Sequence, residues 1–73
     1  MNMKEQLIEI VAQYRNVPVE DVDPDMPLRD MGLDSLDIAE LLQIVEDEYR
    51  IVVEPSPELD TISRLADYLE KQL

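Results

Sequence analysis

The sequence predicts an all-α fold: a small helical bundle with three main helices, room for one short helix, and a long loop between helices 1 and 2. Three observations predict it. Apolar residues recur at i, i+3, i+4 and i+7 in three separate segments, the spacing of one buried helix face. No segment alternates apolar and polar residues over a useful length, and the β-branched run Ile51-Val52-Val53 is too short and isolated for a sheet. All five prolines and the single glycine fall between the periodic segments.

In the first segment Leu7, Ile10, Val11 and Tyr14 share a face. Asn16-Val17-Pro18 ends it, because the residue before a proline is pushed out of the helical region. In the second, Ile38, Leu41, Leu42, Val45 and Tyr49 form one stripe over residues 35–49. In the third, Ile62, Leu65, Ala66 and Leu69 form another, with Asp60 or Thr61 as the N-cap. Residues 16–34 make a long loop, and structureless loops beyond about 12–15 residues are usually functional or disordered. Val17, Val22, Leu28 and Met31 punctuate this one and are expected to peg it onto the core. In residues 50–60, Pro55 and Pro57 leave room for at most a one-turn helix near residues 57–60. Residues 1–73 are expected to form a single domain.

Composition excludes several chemistries. The chain has 73 residues, 6 Lys+Arg against 18 Asp+Glu, and a net charge of −12. A chain this acidic repels phosphate backbones and anionic lipid surfaces, so no nucleic acid and no membrane are expected as partners. Cys and His are both absent. That removes thiol chemistry, disulfides, His or Cys metal sites and imidazole-based triads. The longest apolar run is far short of a membrane span and the N-terminus lacks a signal-peptide pattern, so a soluble, cytoplasmic monomer is expected.

The charge is unevenly placed. Residues 1–19 and 61–73 are each neutral, whereas residues 20–60 hold fourteen acids and only Arg29 and Arg50. One core of this size rarely supplies more than about 3–5 kcal/mol, so self-repulsion on that scale matters.

The segment Asp30-Met31-Gly32-Leu33-Asp34-Ser35-Leu36-Asp37 opens the second helix. Gly32 offers a positive φ at a tight approach to the helix start. With Asp34 as N-cap, Asp37 falls at N3 as in a capping box, and both charges favour the positive end of the helix dipole. Ser35 is then the first helical residue, its hydroxyl not needed for the cap and facing outward, where a phosphate would lie near free backbone amides. Those four residues also suit a plain helix start. Winding residues 35–49 at 100° per residue puts Leu36, Glu40, Ile44 and Asp47 opposite the core stripe, flanked by Asp37 and Glu48. Exposed apolar residues between carboxylates make a docking strip for basic partners, although single exposed hydrophobes are ordinary.

At these residues the sequence resembles the acyl carrier proteins, over nearly the whole chain. The stretch from Asp30 to Asp37 is similar to that family's phosphopantetheine attachment motif, whose core is Asp-Ser-Leu. Glu40-Leu41-Leu42 and Glu46-Asp47-Glu48-Tyr49 continue its acidic second helix. The resemblance implies three main helices plus one short helix. It implies a 4′-phosphopantetheine arm on Ser35, beside Asp34 and Leu36, transferred from coenzyme A by a phosphopantetheinyl transferase. The arm's thiol would carry acyl groups as thioesters to acyl-transferring and condensing enzymes of fatty-acid or polyketide-type biosynthesis. Docking positions that match the family are Asp34, Asp37, Glu40, Asp47 and Glu48, with Leu36 and Ile44 between them. An acyl chain would shelter among Ile38, Leu42, Val45, Ile62 and Leu65. After Tyr49 the sequence departs from the fatty-acid-synthesis pattern, running Val-Val-Glu-Pro-Ser-Pro-Glu-Leu-Asp where that pattern has Ile-Pro and several acids.

Other readings compete. An aminoacyl or peptidyl carrier is the nearest, although such carriers more often show Gly-Gly-His-Ser at the attachment site. A plain acidic protein-interaction bundle is another. A Ser35 hydrolase lacks a base, since no His exists and Lys4 and Lys71 lie near the ends of the sequence. A calcium loop on Asp21, Asp23 and Asp25 fails because Met26 and Gly32 stand where an EF-hand has Gly and its twelfth-position Glu. The protein is therefore expected to be a carrier without catalysis of its own and without a metal.

Overall fold

A computed structural model describes residues 2–54 and 56–73. It contains three α-helices: α1, Met3–Arg15; α2, Ser35–Tyr49; and α3, Ile62–Gln72. Among the described residues no strand forms, and Ile51-Val52-Val53 lies in the irregular connection after α2.

Side-chain oxygens start each helix. Asn2 caps α1 by accepting from the Glu5 N–H at 2.8 Å. Thr61 caps α3 through the Arg64 N–H at 3.1 Å. Of the two candidates for that cap, Asp60 turns away instead and pairs with the Arg64 guanidinium at 2.9 Å. The end of α1 is firmer than a pre-proline stop. Asn16 takes the left-handed conformation (φ 59°, ψ 49°), and the Val17 N–H returns to the Ala12 carbonyl at 3.0 Å.

The stripes meet in one core. Leu7, Ile62 and Leu69 are the most completely buried, and Val11, Leu41, Leu42, Val45, Leu65 and Ala66 surround them. Helix α1 packs against both α2 and α3. Ile10, Tyr14, Ile38 and Tyr49 complete their stripes from half-buried positions.

The long loop is pegged as its apolar residues suggest, with Val22, Leu28 and Met31 buried and Val17 half-buried. Leu33 is buried as well, at 6% exposure, although no helical period marks it. Short 3-10 turns form at Val19–Asp21 and Leu28–Met31. Asp23 and Asp25 serve the loop's own geometry. Asp23 Oδ1 accepts from the Asp25 N–H at 2.9 Å, and Asp25 Oδ1 accepts from the Ser63 hydroxyl at 2.7 Å. Two backbone bonds join the loop to the start of α3: Leu28 N–H to the Asp60 carbonyl at 2.8 Å, and Ser63 N–H to the Pro24 carbonyl at 3.0 Å.

The second connection differs from the expected short helix. Residues 56–59 close a single turn, with the Leu59 N–H on the Ser56 carbonyl at 3.0 Å, and Ser56 Oγ also takes the Glu58 N–H at 3.2 Å. The short helical pieces lie in the first loop instead. A one-turn helix at 57–60 loses to this serine-started turn because the Ser56 side chain offers the backbone a competing acceptor. Pro55, one of the two prolines expected to interrupt the connection, lies outside the described residues. Val53 is buried, and its N–H reaches the Glu46 carboxylate at 2.9 Å.

Candidate functional site

The approach to α2 is built in three steps. Gly32 closes the Leu28–Met31 turn in the left-handed region (φ 83°, ψ 14°), with its N–H on the Arg29 carbonyl at 3.3 Å. Nothing lies within 4 Å of where a Cβ would project, so the glycine serves the backbone angle and not close packing. Leu33 then anchors the chain in the core, and Asp34 follows in extended geometry as the N-cap.

The capping box is complete. Asp34 Oδ1 accepts from the Asp37 N–H at 2.9 Å, and Asp37 Oδ2 accepts from the Asp34 N–H at 3.2 Å. Because Asp34 and Asp37 supply the caps, Ser35 is left as an exposed first helical residue, its hydroxyl without a partner among the described residues. The chain holds no His or Cys to deprotonate that hydroxyl. An exposed serine with no base, at the positive end of a fifteen-residue helix, suits attachment of a phosphate-bearing group.

Ser35 also lines an open cleft of about 520 Å³. Its lining is mostly apolar, with Leu28, Ile38, Ala39, Leu42, Pro57 and Leu59, and includes Arg29 and Asp60. A much smaller void of about 20 Å³ shares Leu28, Ile38 and Leu42 with the cleft. The void reaches Leu7, Ile10, Val45, Ile62 and Leu65, so all five residues expected to shelter an acyl chain meet there. Its volume admits about one water-sized probe, so a longer chain must part the side chains around it. The residues at Ser35 therefore fit a phosphopantetheine arm: a free hydroxyl, helix-start amides beside it, and an apolar cleft within reach.

The residues expected to form a docking strip lie along α2. Leu36 is 68% exposed and Ile44 40%, and Glu40, Asp47 and Glu48 are exposed around them. Its acids are not equivalent. Asp37 is half-buried, with one oxygen in the capping box. Asp47 Oδ1 accepts from Gln43 at 3.2 Å. Glu46, absent from the expected strip, is half-buried and spends its carboxylate on Val53.

One residue of the site escaped the sequence pattern. The Tyr14 hydroxyl, from α1, reaches Glu40 Oε2 at 2.6 Å and Asp37 Oδ1 at 3.1 Å. The bond to Glu40, then burial and the bond to Asp37, push its ionisation above the usual phenol range. Tyr14 belongs to the apolar stripe of α1, and no local spacing signals a bond to residues 23 and 26 positions away.

Among the described residues no helix is long and apolar enough to cross a membrane. Comparison with known proteins bears on the same residues. The family described as "phosphopantetheine attachment site" matches residues 5–69. The mitochondrial acyl carrier protein of Dictyostelium discoideum is 39% identical over 70 residues, covering 92% of this chain and 58% of its own length. The chain thus spans less than two thirds of that relative. The acyl carrier protein of Syntrophus aciditrophicus (strain SB) is 34% identical over 73 residues, covering 96% of this chain and 91% of its own length. A serine presented bare at a capped helix start, a cleft beside it, and a family match across nearly the full length lead to one conclusion: the chain belongs to the acyl carrier proteins, a family with a phosphopantetheine attachment site.

Proposed function

We propose that Ser35 is the attachment residue and that residues 1–73 work as one acyl carrier domain. The observation that carries this is the Ser35 hydroxyl, exposed and without a partner among the described residues, at the first position of α2 and lining a mostly apolar cleft. When bound, phosphopantetheine supplies a terminal thiol that holds acyl groups as thioesters. Ser35 Oγ would form the phosphodiester to it, with adenosine 3′,5′-bisphosphate leaving from coenzyme A and the hydroxyl proton passing to a separate phosphopantetheinyl transferase. Asp34 and Asp37 keep the helix start rigid by answering its amides, and Leu36 lies exposed next to the site. Ile38 and Leu42 line both the cleft and the smaller void, which supports a path for the acyl chain.

Docking of partner enzymes falls to Asp34, Leu36, Asp37, Glu40, Ile44, Asp47 and Glu48. Apolar Leu36 and Ile44 supply contact, and the acids steer basic patches on acyl-transferring and condensing enzymes. Fatty-acid or polyketide-type biosynthesis in the cytoplasm is the setting this reading favours, and the name of one relative supplies mitochondria as the rival compartment. Coenzyme A plus a phosphopantetheinyl transferase should add one phosphopantetheine mass to the protein and none to Ser35→Ala. An unmodified wild-type mass with several competent transferases would remove the assignment. Mass spectrometry of the thioester on protein from its native cell, with cell fractionation, identifies the cargo and compartment. Charge reversal by Glu40→Lys or Asp47→Lys should weaken transfer without loss of helix. Unchanged partner kinetics and salt dependence for both variants would make the strip ordinary surface.

A further inference from the structure

Helix α1 lies outside the strip described above, yet one of its side chains reaches into it. The Tyr14 ring packs half-buried against the core while its hydroxyl crosses to α2 and lies between Glu40 Oε2 and Asp37 Oδ1. Two carboxylates gathered around one point repel each other, and a shared phenolic proton offsets that repulsion. Asp37 is fully committed, with Oδ1 facing Tyr14 and Oδ2 taking the Asp34 N–H. Glu40 is different. Its Oε2 is held by Tyr14, but it is exposed and Oε1 has no partner among the described residues.

A free surface glutamate gives up rotamer entropy comparable to what an exposed ion pair returns. Glu40 has already given it up, to a tyrosine fixed by the core. We propose that Tyr14 is a positioning residue for partner recognition: it holds Glu40 in the rotamer that presents Oε1, one helical turn from Leu36, to an arginine or lysine of the partner enzyme. This rests on the docking role assigned to Glu40 above. It extends the recognition machinery from α2 onto α1.

The molecule contains its own control. Tyr49 also joins the two helices through its phenol, donating to Gln6 Oε1 at 2.6 Å, but it meets a neutral amide at the far end of α2. The probe is a phosphopantetheinyl transferase with coenzyme A, using the unmodified full chain as varied substrate. Tyr14→Phe should raise KM about two- to fivefold with kcat unchanged, an effect that shrinks as salt is added. In a Glu40→Gln background the same substitution should change KM less than twofold, because the group it positions is gone. Tyr49→Phe should leave KM unchanged. Thermal unfolding of each variant checks that the fold is kept. As a readout that needs no Tyr14 variant, Glu40→Gln should move the late phenol ionisation toward the ordinary range in difference absorbance.

A wild-type KM for Tyr14→Phe overturns the inference, as does an equal rise in Tyr49→Phe, which would mark a general loosening of the bundle. An unchanged phenol ionisation in Glu40→Gln overturns it too. If Glu40→Gln raises KM and Tyr14→Phe does not, the docking strip stands and only Tyr14 loses its role. If Glu40→Gln leaves KM untouched, the docking role of Glu40 falls and the inference falls with it.

Discussion

At its N-terminal end α2 is closed by side chains from within the motif, Asp34 and Asp37 exchanging hydrogen bonds across Ser35 and Leu36. At its C-terminal end it is closed by backbone and by a residue from outside the helix. Arg50 turns left-handed (φ 56°, ψ 45°) with its N–H on the Glu46 carbonyl, and the Glu46 carboxylate catches the Val53 N–H. The first end is capped from within and leaves its serine without a partner among the described residues. The second turns the chain back into the core and accepts a backbone conformation unusual for a residue with a Cβ. On the function proposed for Ser35, the difference separates two tasks: presentation of a group to partners, and return of the chain to the bundle.

Substitutions at the two ends should therefore fail in different ways. The largest effect is on chemistry. Ser35→Ala should abolish phosphopantetheine attachment entirely, as read by intact mass, while circular dichroism and unfolding temperature stay near wild type, because the hydroxyl bonds nothing among the described residues. At the other end, Glu46→Ala strips the acceptor from a buried residue's amide and should destabilise by about 1–2 kcal/mol in denaturant titrations, with attachment to Ser35 retained. Asp34→Ala removes the N-cap and should cost about 1 kcal/mol, with a slower transferase reaction besides. An Asp34→Ala protein as stable as wild type would mean that water caps the helix as well as the carboxylate does.

Arg50→Gly has the smallest expected effect and the opposite sign. A left-handed residue with a Cβ costs about 1–2 kcal/mol, and glycine returns part of that gain through about 0.5–1 kcal/mol of extra freedom in the unfolded chain. A net stabilisation of about 0.5 kcal/mol is expected, and a loss of stability would show that the Arg50 side chain contributes something the hydrogen bonds do not reveal.

Tyrosine ionisation gives a pH test of the same contrast. Tyr14 and Tyr49 are both raised, Tyr14 chiefly by its bond to Glu40 and Tyr49 chiefly by burial. A phenol raised on folding stabilises the fold fully below its unfolded value of about 10, and that share is lost as pH climbs through the folded value. Stability should thus fall on the alkaline side, and Tyr14→Phe should flatten that fall. A wild-type slope in the variant would discard Tyr14 as its source.

Much of this was legible because it is local. The capping box lies within four residues, so the start of α2 at Ser35 and the exposure of Leu36 followed from spacing alone. The Thr61 cap was readable only as one of two candidates, since Asp60 is equally able to cap and is withdrawn by Arg64. Leu33 and Val53 are buried in segments with no period, placed by closure of the chain over the core. The turn at 56–59 hinges on one serine hydroxyl competing for the backbone. Tyr14 shows the limit most clearly, because its ring obeys the helical stripe and its hydroxyl does not.

The bond from Leu28 N–H to the Asp60 carbonyl, 2.8 Å long, joins two residues that both line the cleft beside Ser35. That makes it a gauge fitted to the molecule. An acyl chain that wedges the cleft apart must stretch it, and hydrogen exchange at a single amide would then register how far each cargo enters. Chains too short to reach the mouth should leave that amide as slow as in the bare protein, and longer ones should speed it in step with their length. If the Leu28 amide exchanges identically with and without a long cargo, the cleft fills without its walls moving.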